Sequence, residues 1–314
     1  MGDTGISVIV VNWNGRDDVV ACLASLRQQT DPDFETILVD NGSSDDSVAC
    51  ARREFPDLRV LETGANLGFA EACNRGIELS DRAWIAVLNN DTVADPHWIE
   101  ELRTAADSCS AEVGMIQARI MDRAVPDEVS STGVVISAGG EFNDRGCGSK
   151  WDGRDRVEEI FCASAGAALY RRAMLDAVRL PTGVLDRGFG LYFEDVDLGW
   201  RCRLAGWSAL LAPRAVVLHT RHGSSKRRGE RFVEMQCRRN RIATLLKNAS
   251  PALLFRTLPG TLRDALVLLA RRGPAGASDY LRSIRHGLAQ RRAVAALRSV
   301  SQRDLERRWC ATRS

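Results

Sequence analysis

Four short runs of aliphatic, largely β-branched residues punctuate the first ninety positions: "ISVIVVN" (6–12), "ETILVD" (35–40), "LRVLET" (58–63) and "AWIAVLN" (83–89). Each has the length of a strand, and the first is apolar enough to be buried on both faces. Between them apolar residues return at helical spacing, as Val19, Cys22, Leu23 and Leu26, then as Ala70, Cys73 and Ile77. Strand and helix in alternation predict a parallel sheet covered by helices on both faces. Such sheets bind ligands beyond the carboxyl ends of their strands. Asn12, Asp40, Asn41, Asn89, Asn90 and Asp91 all fall there. No GxGxxG follows the first strand and no GxxxxGK[ST] occurs, which argues against a dinucleotide dehydrogenase and a P-loop NTPase.

At 314 residues and 45% hydrophobic composition the chain can bury a large core. Its nine cysteines are odd in number and form no CxxC, so reduced thiols in a cytoplasmic protein are expected rather than a disulfide framework or a zinc cluster. The amino terminus lacks the basic start and apolar core of a signal peptide, and no apolar run is long enough to span a membrane. The net charge of +2 hides an asymmetry. Residues 221–314 hold 22 basic and 6 acidic side chains, whereas residues 1–220 hold 21 and 35. A basic final third suits an anionic partner, and equally suits a solvated, arginine-rich helical face.

Residues 122–160 are polar and Gly-rich and read as short strands joined by mobile loops. "FCASAGAALYRRAMLDAV" (161–178) predicts a small-residue strand and then a helix, and "GWSALLAPRAVVLHT" (206–220) two short strands bracketing Pro213. A helix is predicted over 231–248. Beyond Pro251, leucines recur at helical intervals, with arginines on other faces.

Three acids crowd the start of a predicted helix in "LYFEDVDLGWRCRLAGW" (191–207). Phe193, Val196, Trp200, Leu204 and Trp207 make its apolar stripe, and Asp197 stands four residues before Arg201, the favoured order for an ion pair. Glu194 and Asp195 have no such partner in sequence. They are either plain first-turn acids, favoured by the helix dipole, or acids facing a cleft. In "LNNDT" (88–92) Asp91 can hold Mg²⁺ or Mn²⁺, or simply belong to a turn. His219 ends an apolar strand. His222 follows three residues later, but without HExxH a zinc hydrolase is not supported.

Taken in order, "VVNWNG" (10–15), "VDNGSSDDS" (39–47), "NLGFAEACNRGI" (66–77), "LNNDT" (88–92), "SAGAALYRR" (164–172), "YFEDVDLGWRCRLAGW" (192–207), "VLHTRHGSS" (217–225) and "RNRIATLLKN" (239–248) make the chain resemble the family-2 inverting glycosyltransferases, in their bacterial polysaccharide and rhamnosyltransferase-like branch. The resemblance implies the GT-A nucleotide-diphospho-sugar transferase fold, a Rossmann-like, mostly parallel sheet flanked by helices. It implies a nucleotide-sugar-binding half (1–121), an acceptor-binding, catalytic half (122–248) and a basic amphipathic helical tail (249–314). By the same resemblance Asp195 is the general base, with Glu194 beside it. Asn12, Asp40, Asn41, Asn66, Gly68, Asn74 and Asn90 serve the nucleotide. Asp91 and His219 hold a divalent cation, Mg²⁺ or Mn²⁺, with Asn89 in the first place of an Asp-x-Asp pattern. The implied partners are a nucleoside-diphosphate sugar (dTDP-rhamnose or a UDP-sugar) and a saccharide or lipid-linked acceptor for cell-surface polysaccharide. No nucleic acid is expected. The tail is expected to touch the cytoplasmic face of a membrane. A sugar nucleotidyltransferase and a non-catalytic carbohydrate-binding protein are the competing readings.

Overall fold

The computed structural model describes residues 5–220 and 229–311, so His222 and the end of the "VLHTRHGSS" stretch lie outside the described residues. The strands are β1 (Ile6–Asn12), β2 (Phe34–Asp40), β3 (Arg59–Glu62), β4 (Trp84–Asn89), β5 (Thr92–Ala94), β6 (Val113–Asp122), β7 (Val129–Ser131), β8 (Val134–Ser137), β9 (Phe142–Asp144), β10 (Glu158–Ile160), β11 (Ala167–Arg171), β12 (Ser208–His219) and β13 (Cys310–Ala311). The helices are α1 (Arg16–Arg27), α2 (Ser47–Glu54), α3 (Phe69–Leu79), α4 (Trp98–Ser108), α5 (Arg172–Ala177), α6 (Glu194–Leu204), α7 (Glu230–Asn248), α8 (Pro251–Leu297) and α9 (Gln302–Trp309).

The main sheet runs β10-β12-β6-β11-β4-β1-β2-β3. β1 pairs parallel with β2 and β4, β2 with β3, and β12 with β6, while β11 enters antiparallel between β4 and β6. The predicted mostly parallel sheet is therefore present, with β11 reversed at its middle and β10 reversed at its edge. β10, β11 and β12 share it with β1–β4, so the two expected halves are built on one sheet. Alternation along the buried strands divides the core. Ile9, Val11, Ile37 and Val39 face α3 and α6, whereas Val8, Val10 and Leu38 face α1 and α4. Val19, Cys22, Leu23 and Leu26 of α1 are all buried, as their spacing predicts.

One expectation is corrected. Residues 208–219 form one strand, not two bracketing Pro213. Pairing to β6 slips between Ala212 and Val216, and Pro213 sits inside that slip, where no ladder N–H is required of it. The unbroken strand carries His219 to a position opposite Thr92 of β5.

The last third is fastened to this scaffold. α8 breaks at Gly273 (φ 57°, ψ −143°), and the Tyr280 hydroxyl donates to the Thr261 carbonyl at 2.8 Å, so its two arms fold back on each other. Lys247 of α7 lies fully buried between Asp186 (2.5 Å) and Asp197 (2.8 Å). Asp197 also takes Arg201 at 2.9 Å and the Asn248 amide at 2.9 Å, and His286 of the second arm reaches Asp186 at 2.9 Å. Further on, Glu306 accepts from the Ser250 backbone N–H and hydroxyl at 2.6 Å each, and β13 pairs with β8.

Candidate active site

A cleft of about 560 Å³ opens beyond the carboxyl ends of β1 and β4. Asn41, Asn90, Asp91, Glu194, Asp195 and His219 all line it. Two acids more than a hundred residues apart in sequence thus share one cavity.

On one wall, α6 begins at Glu194 after a turn in which Tyr192 (φ 65°) and Phe193 (φ 74°) are both left-handed. For residues with a Cβ that conformation costs roughly 1–2 kcal/mol each. The Asp195 carboxylate accepts from the N–H groups of Ala165 (3.0 Å) and Val196 (2.8 Å). Burial pushes its carboxyl above the usual range, and those two N–H groups hold the rise in check. Glu194 is 4% exposed, and its Oε2 has no hydrogen-bond partner among the described residues. Burial, then the neighbouring Asp195 charge, drives the Glu194 carboxyl well above the ordinary value. Asp197 turns away into the core, with Arg201 as its spacing predicts. Gly199 lets the helix sit on Cys162, since a Cβ there would stand 2.2 Å from the Cys162 Cβ.

On the other wall, pairing of β5 with β12 sets the His219 Nε2 3.2 Å from Asp91 Oδ1. Burial lowers the imidazole pKa, but the hydrogen bond and charge of Asp91 outweigh it and the net shift is upward. A carboxylate and an imidazole suit a divalent ion such as Mn²⁺. Among the described residues no group of three or more His, Cys, Asp or Glu side chains converges.

The residues expected to serve the nucleotide divide in two. Asn41 and Asn90 face the cleft; Asn12, Asp40, Asn66, Gly68 and Asn74 are not among its lining residues. Asn90 donates to Asn12 (2.8 Å), and Asn12 donates to Asp40 (3.3 Å) and Ser47 (2.9 Å), so this chain ties three strand ends to α2 beneath the cleft. Asp40 also accepts from the backbone and hydroxyl of Ser43. Asn41 accepts from Leu67 N–H (2.8 Å) and donates to the Gly68 carbonyl (3.2 Å), which shapes the loop carrying Asn66. Gly68 (φ +86°) passes so close to the next turn that a Cβ would lie 2.8 Å from the Gly190 carbonyl. The Asn74 amide is engaged with the Leu185 backbone, donating at 2.7 Å and accepting at 2.9 Å, so it clamps the loop there.

Sequence reasoning missed the aromatic lining. Trp13, Phe69, Phe142, Tyr192 and Phe193 all face the cavity, and Phe142 meets Phe193 edge-on with ring centroids 5.4 Å apart. Trp13 had a signal, since it directly follows the polar end of β1. Phe142 had none, because its place depends on the pairing of β9 with β8, which exists only in the folded chain.

Sheet order, reversed strand and polar cleft together are those of the GT-A fold. A structure of the mannosyltransferase PcManGT from Pyrobaculum calidifontis, in complex with GDP-Man and Mn²⁺, matches 93% of this chain and 85% of its own with a TM-score of 0.53 at 17% identity. A structure of GalNAc-T7 with UDP, GalNAc and Mn²⁺ matches 69% of this chain and 43% of its own, with a TM-score of 0.57 at 13% identity. The family model for glycosyl transferase family 2 matches residues 7–179, and the chain belongs to that family. It is 30% identical over 246 residues to the N-acetylglucosaminyl-diphospho-decaprenol L-rhamnosyltransferase of Mycobacterium tuberculosis, covering 71% of this chain and 78% of the relative. The chain is thus a glycosyltransferase that uses a nucleotide-sugar donor.

Proposed function

We propose that this glycosyltransferase inverts the anomeric centre, with Asp195 as general base. The acceptor is a saccharide on a lipid carrier, used in cell-surface polysaccharide synthesis. The donor is dTDP-rhamnose or a UDP-sugar. The observation that carries this reading is the convergence of Asp195 and the Asp91–His219 pair on one cleft. The named mycobacterial relative supports the choice of substrates.

A sugar hydroxyl attacks poorly until its proton is removed. Asp195 takes that proton as the new bond forms, which typically contributes about 10²–10⁴-fold. Its two backbone donors fix the carboxylate's direction and leave it room to accept. Attack from the face opposite the nucleoside diphosphate inverts the centre. Asp91 and His219 would hold the divalent cation, which when bound offsets the charge gathering on the departing diphosphate. Asn41 and Asn90 offer amides on the donor side, and Trp13 a face for stacking. The decisive measurement is nucleoside diphosphate release across a panel of dTDP- and UDP-sugars with lipid-linked saccharide. Asp195→Asn is expected to lower kcat at least a hundredfold, and unimpaired turnover would remove Asp195 from the role.

We also propose that the tail meets the membrane through its first arm. No helix among the described residues is long and apolar enough to cross a membrane. The arm buries Leu253 and Leu268 together with the polar Thr257 and Asp264, yet leaves Phe255, Leu258, Leu262, Leu266 and Leu269 80%, 46%, 56%, 66% and 47% exposed on another face. Exposed Arg256 and Arg263 flank this ridge. A second copy packed face to face would bring those arginines together, whereas anionic lipid neutralises them and accepts the leucines. Flotation of the full chain with vesicles of phosphatidylglycerol and phosphatidylcholine should be lost on changing Leu262 and Leu266 together to serine. Equal flotation of both proteins, or concentration-dependent dimerisation in place of flotation, would overturn it.

A further inference from the structure

We propose that Asn240 and Gln236 of α7 are positioning residues that hold the turn before α6 in its left-handed form and so aim Glu194 and Asp195 into the cleft. The inference rests on the reading of Asp195 as base. Between Gly190 and Phe193, three of four residues have positive φ: Gly190 (71°), Tyr192 (65°) and Phe193 (74°). Only the first is a glycine. The start of α6 receives no side-chain cap, the device that most often fixes where a helix begins. Something else must select this conformation, because Tyr192 and Phe193 line the cleft and the two acids follow at once.

α7 supplies the selection. Asn240, 2% exposed, directs its amide nitrogen at three carbonyls of the turn: Phe189 (3.1 Å), Leu191 (2.9 Å) and Tyr192 (2.7 Å). Gln236, four residues earlier and on the same helical face, donates to Phe189 (2.8 Å) and Leu191 (3.2 Å). An extended or right-handed path through Tyr192 would turn these carbonyls away from the amides and bury them unpaired. From the opposite side Ala70 N–H donates to the Gly190 carbonyl at 3.3 Å. Only donors satisfy this geometry. A side chain of the same shape carrying oxygens would face the carbonyls with like charge, and an apolar one would leave them unmet. Neither amide is among the lining residues of the cleft, so their influence on the reaction passes through the turn.

The test compares wild type with Asn240→Asp, which keeps the shape and removes the donors. Hydrogen exchange is followed by mass spectrometry on the peptide covering 190–196. Exchange there should rise at least tenfold while the strands β1 and β4 stay protected. With the donor that the wild type turns over, kcat should fall about 10–100-fold, the scale of a small misplacement of a reacting group, and donor KM should stay within twofold. Asn240→Gln is expected to recover part of the loss, since it restores the donors. If Asn240→Asp does not fold, Gln236→Leu gives the same pattern at smaller amplitude. Wild-type exchange at 190–196, or a fall in stability with kcat unchanged, would overturn the proposal. Should Asp195→Asn prove fully active, the base assignment falls, yet the exchange measurement still judges the brace on its own.

Discussion

Replacing Lys247 with methionine probes how the tail and the catalytic helix depend on each other. The ammonium is fully buried and touches two carboxylates that are themselves fully buried, Asp186 and Asp197. Methionine fills nearly the same space without the charge. Removing one partner from a buried ion pair typically costs about 3–5 kcal/mol, because the remaining charge stays uncompensated. Here Asp186 keeps His286, and Asp197 keeps Arg201 and Asn248, so the loss should fall at the low end, about 3 kcal/mol. At about 2–4 °C of Tm per kcal/mol for large domains, that is a fall of roughly 6–12 °C at pH 7. The deficit should also depend on pH. Burial raises the Asp186 pKa, but His286 and Lys247 outweigh it and hold the carboxyl below the usual carboxylate range. A depressed pKa contributes stability that is present above the unfolded value of about 3.9 and is lost as pH falls through the folded one. The variant forfeits part of that contribution, so the two melting curves should stay apart down to about pH 4 and draw together only below it. Circular dichroism melts at half-unit intervals from about pH 7.5 to about 2 would read both effects. A loss below 1 kcal/mol, or a gap constant over that range, would refute the reasoning.

Glu194→Gln should raise Tm at pH 8 and leave it unchanged at pH 4. A carboxyl whose folded pKa is raised contributes its stability below the unfolded value and loses it as pH rises, and glutamine does not titrate; a lower Tm at pH 8 would count against this. Gly199→Ala should destabilise by about 1–3 kcal/mol through overpacking on Cys162, and adding Cys162→Gly should recover most of it in denaturant titrations. His219→Ala should raise the Mn²⁺ concentration for half-maximal nucleoside diphosphate release at least tenfold, and an unchanged midpoint would exclude the histidine from cation binding.

Much of the frame could be read from spacing alone. The apolar runs at 6–12 and 83–89 and the helical repeat in α1 are local, and local pattern decides them. So is the pairing of Asp197 with Arg201 across one helical turn. The reversed β11 could not be read, because its place between β4 and β6 is chosen by the whole sheet. The same holds for the meeting of His219 with Asp91 through β5 and β12, and for the Ala165 N–H on Asp195. Pro213 misled because proline normally ends a strand, and the slip that accommodates it is visible only in the pairing. The commitment of the Asn74 amide to Leu185, more than a hundred residues away in sequence, could not be read from its motif either. In α8 the leucine period announced a helix, but which face would be buried depended on Arg238 and Arg241, which draw Asp264 inward.

The fastening of Asp197 to Lys247 also bears on synthesis at the ribosome. Fifty residues separate the two, and at about 5–20 residues per second that is several seconds of translation. During that interval the nascent α6 carries an acid whose ammonium partner has not yet been made, and the brace on the turn before it is likewise missing. β13, which pairs with β8, is made later than α7. The contacts that brace α6 and the turn before it are therefore completed only once α7 has been made.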